Sequence, residues 1–373
     1  MIMFINSLPI EGKEGLMEMI KRITDPRKPR GIRHPLPSIL AMAVCTVLCG
    51  QRSYLGIAEW SKGLTSDMLK RFGCKRESAP SEPTVRRTLQ SIDVEETDRE
   101  ISHWLASQNS LSGKAIATDG KTARGSRDGD KRPIHLLSAI VHKEGRVIAQ
   151  KEVDEKTNEI KLVKPLFDEI DIKGAVVTTD ALLTQRKFAK YLIEEKEADY
   201  VFTVKENQPT LYEDIKDLNL RKEPYHFRTL DKAHGRIEER KIWVSSELKG
   251  YSDFPYAEQV FMIERYPTKL DGSCPSTEIA YGITSLSAEK ASPERLLSIN
   301  RGHWEIENRL HWVRDVTFDE DRSQIRKGKG PHCMASLRNL VISIFRILGF
   351  KYIPSGIRYF IMHLENALGI LGI

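Results

Sequence analysis

Hydrophobic positions recur with a helical period through the first 105 residues of the chain. Leu8–Ile23 is amphipathic, Leu36–Gly50 is almost wholly apolar, and Tyr54–Lys62 continues the helical pattern. Ser81 stands where a helix N-cap is expected, just before another such stretch. These patterns predict an all-helical N-terminal region in which Leu36–Gly50 is buried.

After Gly113 the apolar positions form short runs that are typical of strands. The predicted strands are Lys114–Asp119, Ile134–His142, Arg146–Lys151, Ala175–Asp180 and Tyr200–Val204, and the predicted helices are Leu162–Ile170 and Thr184–Glu195. This order predicts a mixed α/β sheet. Asp119 and Asp180 each end an apolar strand, and in α/β sheets functional sites gather outside the carboxyl ends of parallel strands.

The rest of the chain predicts a β-rich stretch between two parts of one α/β core. Its strands are Ile237–Ser245, Gln259–Tyr266 and Ile279–Ser285; a helix from Ser292, a buried helix Cys333–Leu348 and a last short helix after Ser355 follow. We therefore expect a helical region at 1–105, a core at 106–206 and 288–350, an insertion at 207–287, and a helical tail at 351–373.

The helix from Ser292 carries the most informative polar pattern. At the α-helical period one of its faces presents Asn300, His303, Glu307, Leu310 and Arg314. Glu307 offers a carboxylate for a metal ion, and a cation farther along the face could hold a phosphate. Glu305 is a rival acid, but it lies about 200° around the helix from Glu307. A solvated face without function is the alternative.

The amino-acid composition excludes some classes of protein but does not identify the function. The 373 residues are 40% hydrophobic, with a formal net charge of +6, which indicates a globular chain that tolerates a polyanionic partner. Five scattered cysteines suggest a reducing cytoplasm. The start does not resemble a signal peptide, and the longest apolar runs are too short to span a bilayer, so no membrane partner is expected.

Basic residues mark possible contacts to a phosphate backbone. A proline-broken segment carries Arg27, Lys28, Arg30 and Arg33 in a predicted extended conformation that suits such contacts. Arg86 and Arg87 lie one turn into the helix after Ser81, which could be a recognition helix. A surface linker and an ordinary helix surface remain the alternatives for these two stretches.

The three acids indicate a function more strongly together than singly. Asp119 and Asp180 at strand ends, with Glu307 on a later helix, would repel one another if they converged, unless a cation neutralised them. Oxygen ligands favour Mg²⁺ or Mn²⁺ over zinc. Two such ions would activate a water or sugar hydroxyl and stabilise the leaving oxygen at phosphorus. The surrounding basic residues would then hold nucleic acid.

Several long stretches carry a family resemblance that runs from Asp25 to about Arg346. They are Asp119-Gly-Lys-Thr-Ala-Arg-Gly-Ser, Thr179-Asp-Ala-Leu-Leu-Thr-Gln, Tyr200-Val-Phe-Thr-Val-Lys-Glu-Asn-Gln-Pro-Thr-Leu, His234-Gly-Arg-Ile-Glu, and the run from Arg301 to Asp321. The chain resembles the DDE transposases of the H-repeat-associated insertion-sequence family. The resemblance implies an RNase H-like core, a metal-binding triad of Asp119, Asp180 and Glu307, and a β-rich insertion before the glutamate.

The resemblance also implies DNA contacts. Basic residues inside or beside the shared stretches are Lys121, Arg124, Lys205, Arg236, His303 and Arg314. The wider superfamily has a Tyr-x2-Arg-x3-Glu-x6-Lys signature, and this chain has Asn300, His303, Glu307 and Arg314 at the four positions. His303 could hold a phosphate if protonated or orient a carboxylate if neutral, and a purely structural histidine is the alternative.

The sequence thus predicts a bacterial DNA transposase acting in the cytoplasm, at the nucleoid. Such an enzyme would bind the terminal inverted repeats of its own element through the N-terminal helices, nick them with two Mg²⁺ or Mn²⁺ ions, and join the freed 3′-OH to target DNA. A homodimer on DNA is implied by the resemblance. A domesticated DNA-binding protein without cleavage and a structure-specific nuclease of the same fold are the alternatives.

Overall fold

A computed structural model describes residues 15–154, 157–233, 235–269, 273 and 277–373. Helices fill the N-terminal region: α1 (Leu16–Arg22), α2 (Leu36–Leu48), α3 (Tyr54–Lys62), α4 (Ser66–Arg71), α5 (Glu82–Ser91) and α6 (Val94–Ser107). Residues 8–14 of the first predicted helix, and His234 of the shared stretches, lie outside the described residues. The prediction of a helical N-terminal region is confirmed.

Local capping explains where several of these helices begin. The side chains of Ser53, Thr65 and Asp93 accept hydrogen bonds from backbone N–H groups in the first turns of α3, α4 and α6. Ser81 precedes α5, but its hydroxyl pairs with the Thr84 hydroxyl at 3.0 Å instead of capping the backbone. Helix α2 is buried along nearly its whole length, as its apolar sequence predicts.

The rest of the fold is built on one nine-stranded sheet. Its strands are β1 (Ala115–Thr122), β2 (His135–Val141), β3 (Val147–Glu152), β4 (Val176–Thr179), β5 (Asp199–Val204), β6 (Phe227–Ala233), β7 (Arg236–Ser245), β8 (Gln259–Lys269) and β9 (Glu278–Thr284). The order is β3-β2-β1-β4-β5-β9-β8-β7-β6. The strands β1, β4 and β5 are parallel and the other pairs antiparallel. This arrangement confirms the predicted mixed α/β, RNase H-like class.

Strand register brings the two aspartates together. Thr118 pairs with Thr179 in the parallel β1–β4 ladder, so Asp119 and Asp180 follow at neighbouring positions on adjacent strands. Asp180 comes directly after β4, as predicted. Asp119 does not end its strand, because β1 continues to Thr122 through its antiparallel pairing with β2. Asp119 lies instead where the parallel pairing with β4 stops.

Helices α7 (Glu159–Phe167) and α8 (Arg186–Glu194) lie between the parallel strands along the chain, close to their predicted positions. The stretch after β5 departs from the prediction in two respects. It begins with an unpredicted helix α9 (Pro209–Asp217), and it holds four strands instead of three, because β6 pairs with β7 in a hairpin. The strands extend the core sheet, since β9 runs antiparallel beside β5.

The helix that carries Glu307 is not the continuous α-helix of the prediction. Helix α10 (Pro293–Gly302) is capped by the predicted Ser292. After a turn the chain continues as two π-helical runs, Glu307–His311 and Val313–Thr317. A π-helix has about 4.4 residues per turn, so residues seven apart are rotated by roughly 210° instead of lining up. Arg314 is consequently not on the face of Glu307.

Three helices close the molecule: α11 (Gly330–Ile347), α12 (Ile353–Met362) and α13 (Leu364–Leu371). Helix α11 is almost completely buried and packs against α2, α5, α6 and β3, which joins the N-terminal helices to the sheet. The predicted single last helix is therefore two helices, and both contact α2. Among the described residues, none of the helices combines the length and the apolar character that a membrane span needs.

Candidate active site

Asp119, Glu307 and His311 meet beside β1, where its parallel pairing with β4 stops. Each offers one possible ligand atom, and the three atoms lie within 4.8 Å of one another. The Nδ1 atom of His311 is 3.0 Å from Glu307 Oε2 and 3.8 Å from Asp119 Oδ2. Asp119 and Glu307 were predicted to converge, and the geometry places them together although they are 188 positions apart in the chain.

His311 is a site residue that the sequence reasoning missed. Its side chain is 3% exposed, whereas that of Glu307 is 47% exposed. Its Nδ1 pairs with the Glu307 carboxylate, and its Nε2 has no hydrogen-bond partner among the described residues. The available signal was its spacing: four residues after Glu307, it shares the face of Glu307 in an α-helix and in a π-helix alike.

Asp180 flanks this group without belonging to it. Its Oδ1 accepts a hydrogen bond of 3.1 Å from the backbone N–H of Leu183. Burial raises the pKa of Asp180, and the Glu159 carboxylate raises it further, while Lys205 acts in the opposite direction. Asp180 is thus close enough to the other acids to interact with their charges, as the predicted triad requires.

Glu159, at the start of α7, is a further acid that the sequence reasoning missed. Its carboxylate is 2.6 Å from His135 Nε2. A Cβ at Gly120 would lie 2.2 Å from Glu159 Oε1 and 2.5 Å from His135 Nε2, so only glycine at position 120 admits this pair beside β1. Nothing in the sequence pattern connects Glu159 to Asp119, because the proximity arises from the packing of α7 on β2 and β3.

The electrostatics of the site favour a bound cation. Burial raises the pKa of Asp119 to about 6; Asp180 and Glu159 add to the rise, and His311 and the Gly120 N–H oppose it. The His311 hydrogen bond lowers the pKa of Glu307. A partly exposed set of carboxylates with one imidazole, crowded enough to raise a carboxyl pKa, suits a divalent metal ion.

His303 lies beneath the site. Its Nδ1 is 3.1 Å from Thr178 Oγ1, which also lies 3.1 Å from His142 Nε2. Burial lowers the pKa of His303 to about 4, so the ring is neutral at physiological pH. A neutral ring bonded to a strand hydroxyl matches the structural alternative for His303, and it neither contacts a carboxylate nor offers a charge to phosphate.

Glu305 and Arg314 both lie away from Asp119. Glu305 accepts a hydrogen bond of 2.5 Å from the backbone N–H of Lys143 and pairs with Arg309 at 3.0 Å. Arg314 is fully buried, and its guanidinium pairs with Glu320 at 2.7 Å. The structure does not bring Arg314 to the face where a phosphate would lie, because the π-helical turn rotates it into the protein.

Three predicted contacts, Lys121, Arg124 and Lys205, lie in or near the segments around the acids, whereas Arg236 lies elsewhere. Lys121 shares the face of Asp119 on β1, and its Nζ is 2.5 Å from Asp315 Oδ2. Arg124 is 82% exposed, 3.9 Å from Asp321. Lys205 is exposed after β5 and acts on Asp180. Arg236 is half-exposed at the start of β7, facing a groove of about 1350 Å³ with Trp304.

The basic residues of the N-terminal region differ in availability. Arg27 is held by Asp25, by the His34 carbonyl and by Thr88, so it fastens the segment to α5. Arg86 pairs with Glu82 at 3.0 Å. Among the predicted contacts of this region, Lys28, Arg30, Arg33 and Arg87 are exposed and make no ion pair to another described residue. These four predicted residues are therefore free to contact a phosphate backbone.

The two tryptophans near Glu307 are not part of the core. The exposed fraction is 68% for Trp304 and 53% for Trp312. Their rings face outward because neither position falls on the buried stripe of Ile306, Leu310 and Val313.

Comparison with known families follows the same division of the chain. Residues 110–344 match the family described as "Transposase DDE domain", and residues 17–105 match the one described as "DDE_Tnp_1-associated". The first match alone spans more than half of the 373 residues and contains all of Asp119, Asp180 and Glu307.

Individual proteins are similar over most of the chain. The "H repeat-associated putative transposase YhhI" of Escherichia coli (strain K12) is 31% identical over 360 residues, covering 92% of this chain and 93% of that protein. The "Putative transposase YncI" of Escherichia coli O157:H7 is 29% identical over 350 residues, covering 89% and 87%. A solved piggyBac transposase synaptic complex with hairpin DNA aligns with a TM-score of 0.45 and 14% identity, over 95% of this chain and 76% of that one.

Proposed function

We propose, from the premise that this chain belongs to the DDE transposase family, that it cleaves the ends of its own insertion sequence and joins the freed 3′-OH to target DNA. Membership of this family implies that the chain is a DNA transposase that uses divalent metal ions. The specific proposal concerns the two displacements, the DNA sites on which they act, and the residues that carry them.

The convergence of Asp119 and Glu307 beside Asp180 carries the proposal. These carboxylates come from β1, the end of β4 and the π-helical segment, and together they would hold two Mg²⁺ or Mn²⁺ ions. Such ions, when bound, activate the attacking hydroxyl and stabilise the leaving oxygen at phosphorus. The protein's own part is to hold the oxygen donors at one sheet end and to leave Glu307 about half exposed to the DNA strand.

DNA binding is assigned to cations of the N-terminal region and of the sheet. Lys28, Arg30, Arg33 and Arg87 would hold the terminal inverted repeat, and Lys121, Arg124 and Lys205 would hold the strand near the acids. Arg236 would contact DNA in the groove beside Trp304. We retain the division into a DNA-binding region at 1–105, a core at 106–206 and 288–350, an insertion at 207–287 and a tail at 351–373. A homodimer on paired ends, within the cytoplasm and at the nucleoid, completes the proposal.

The test of the chemistry is a pair of neighbouring variants in a metal-dependent assay. Duplexes that contain the element's end and its flank are incubated with the full chain and Mg²⁺ or Mn²⁺. Glu307→Gln removes a charge at the site, and we expect cleavage and strand transfer to fall together by about 10³-fold or more, because one ion set serves both steps. Glu305→Gln is the matched control and should stay within a few fold of the parent.

The outcome separates the alternatives. Specific binding without cleavage by the parent chain would indicate a domesticated DNA-binding protein. Cleavage without strand transfer would indicate a nuclease of the same fold. Equal activity of Glu307→Gln and Glu305→Gln would mean that the acid is assigned wrongly.

The test of DNA binding is a salt titration. Changing Lys28, Arg30 and Arg33 to Gln should flatten the slope of log K against log salt by about 0.9 for each lost phosphate contact. The matched control changes three exposed lysines beside α7 and on α8, which are Lys173, Lys187 and Lys190. An unchanged slope in the first variant would assign its segment to a surface linker.

A further inference from the structure

We propose that His311 is a nitrogen ligand to one of the metal ions, which it binds together with Asp119 and Glu307. This inference rests on the proposed metal-dependent function and deepens it: one ion position becomes a mixed nitrogen and oxygen site. The other position, on the Asp180 side, keeps oxygen ligands. The two positions would then differ in the metals that they prefer.

The distances suit a shared ion. Two ligand atoms that each lie about 2.1 Å from one ion are about 3.0 Å apart at a right angle and at most about 4.2 Å apart. The His311 Nδ1 atom is 3.0 Å from Glu307 Oε2 and 3.8 Å from Asp119 Oδ2, both inside this range. The nitrogen therefore already occupies a position from which a third ligand would bind.

Burial makes coordination the consistent outcome for this side chain. A cation placed between the two carboxylates would confront Nδ1, and a proton on that atom would be repelled. The side chain is only 3% exposed, and its Nδ1 is directed at the Glu307 carboxylate. Nδ1 therefore faces the ion position, and in the tautomer with its proton on Nε2 it presents a lone pair to the ion.

The second ring nitrogen permits that tautomer. His311 Nε2 has no hydrogen-bond partner among the described residues, so no acceptor or donor there fixes the tautomer. The proton can therefore reside on Nε2 when Nδ1 binds the ion. This differs from His303 below the site, whose Nδ1 is tied to Thr178 and lies outside the group of converging ligand atoms.

The chemical consequence is a preference among metals. Imidazole nitrogen binds Mn²⁺ and later transition metals more readily than Mg²⁺, which favours oxygen ligands. We therefore expect the full chain to bind Mn²⁺ more tightly than an oxygen-only site would, and we expect a histidine nitrogen in the first coordination sphere of one Mn²⁺ ion.

The experiment detects that nitrogen directly. Full-length protein without a histidine tag is loaded with Mn²⁺ in the absence of DNA, and electron spin-echo modulation is recorded with ¹⁴N-histidine and with ¹⁵N-histidine. The proposal expects a histidine nitrogen coupling that changes with the isotope. It also expects His311→Gln to lose this coupling and about ten-fold in Mn²⁺ affinity by calorimetry, with Mg²⁺ affinity changed little.

Two controls keep the result interpretable. His311→Gln retains an amide N–H that can hold the Glu307 carboxylate, so a purely positioning role would leave metal binding unchanged. His303→Gln should keep the nitrogen coupling. If His311→Gln fails to fold, the isotope comparison in the parent protein still decides, and a spectrum with oxygen ligands alone overturns the proposal.

The failure of this inference is distinguishable from the failure of the proposed function. Nitrogen coupling in a protein that never cleaves DNA would support the mixed site and contradict the transposase chemistry. Metal-dependent cleavage with oxygen-only Mn²⁺ spectra would support the transposase chemistry and contradict the mixed site.

Discussion

Two groups of acids and cations in this protein contain similar residue types but differ in burial and in charge pairing. The open group at the sheet end consists of Asp119, Asp180, Glu307 and His311, where acids outnumber cations and Glu307 is 47% exposed. The closed group lies behind the sheet on and around α11, and consists of Asp98, Glu152 and His332 with Arg314, Glu320 and Arg338. There the acids and cations form ion pairs with one another inside the protein.

The closed group is buried and internally paired. His332 is 2% exposed and lies 2.6 Å from Asp98 and 3.0 Å from Glu152. Glu320, also 2% exposed, pairs with Arg314 at 2.7 Å and with Arg338 at 2.8 Å. Both sets lie where α11 meets its neighbours, so they fix the N-terminal helices and the π-helical segment against the sheet.

This difference shows how a cation-binding site can be distinguished from a structural ion-pair network when both contain the same residue types. In the closed group every charge has a partner, and burial leaves no room for a ligand. In the open group burial and neighbouring acids raise the pKa of Asp119 and of Asp180, and the carboxylates remain partly exposed. A cation from solution can therefore reach them and would stabilise their charged forms. Removing a charge should therefore destabilise the closed group and relieve the open one.

The largest expected effect is on the closed group. Glu320→Gln leaves two arginines buried without their carboxylate, and we expect a loss of about 3–5 kcal/mol in the free energy of unfolding. Glu305→Gln, which removes a partly exposed pair with Arg309, should cost under about 1 kcal/mol. Urea unfolding of the two variants makes the comparison, and a small loss for Glu320→Gln would mean that the closed group is not structural.

The next effect depends on pH. Burial alone would lower the pKa of His332, but Asp98 and Glu152 outweigh it and raise the pKa to about 9. A raised histidine pKa stabilises the fold below the unfolded value near 6.5, and this stability is lost as pH rises through about 9. The shift corresponds to about 3 kcal/mol.

His332→Gln should therefore lose about 3 kcal/mol at pH 6 and much less above pH 9, measured by urea unfolding against the parent at each pH. His103→Gln, on the exposed face of α6, is the control and should change little at either pH. A loss that does not vary with pH would indicate that His332 acts by packing and not by charge.

The sequence predicted the sheet and the position of the acids more accurately than it predicted the helix that carries Glu307. Alternating and apolar runs locate the strands, and register then brings Asp119 beside Asp180. The π-helical turn could not be predicted, because the seven-residue repeat of Ile299, Ile306 and Val313 indicates a continuous α-helix. Arg314 was misplaced for that reason, and Glu159 was missed because only packing brings α7 to β1.

A metal titration sharpens the comparison further. Mg²⁺ at ten times its dissociation constant should raise the free energy of unfolding of the parent by about 1.4 kcal/mol, since only the folded protein has the site. Asp180→Asn should reduce this increment, whereas His332→Gln should keep it in full. An increment that survives in Asp180→Asn would place the ion somewhere other than the open group.

The smallest effect has the most informative sign. Asp119→Asn removes a carboxylate that the fold holds at a raised pKa, and the Asn oxygen can still accept the Gly120 N–H. The charged form is disfavoured in the folded state, so its cost is present above pH 6 and disappears below about pH 4. Because Asp119 is about a third exposed, solvent reduces the gain to about 1 kcal/mol. We expect metal-free Asp119→Asn to be more stable than the parent at pH 8, equal to it at pH 4, and inactive in cleavage. Asp98→Asn, in the closed group, should lose stability at pH 8, and a loss for both variants would mean that the open group is scaffolding as well.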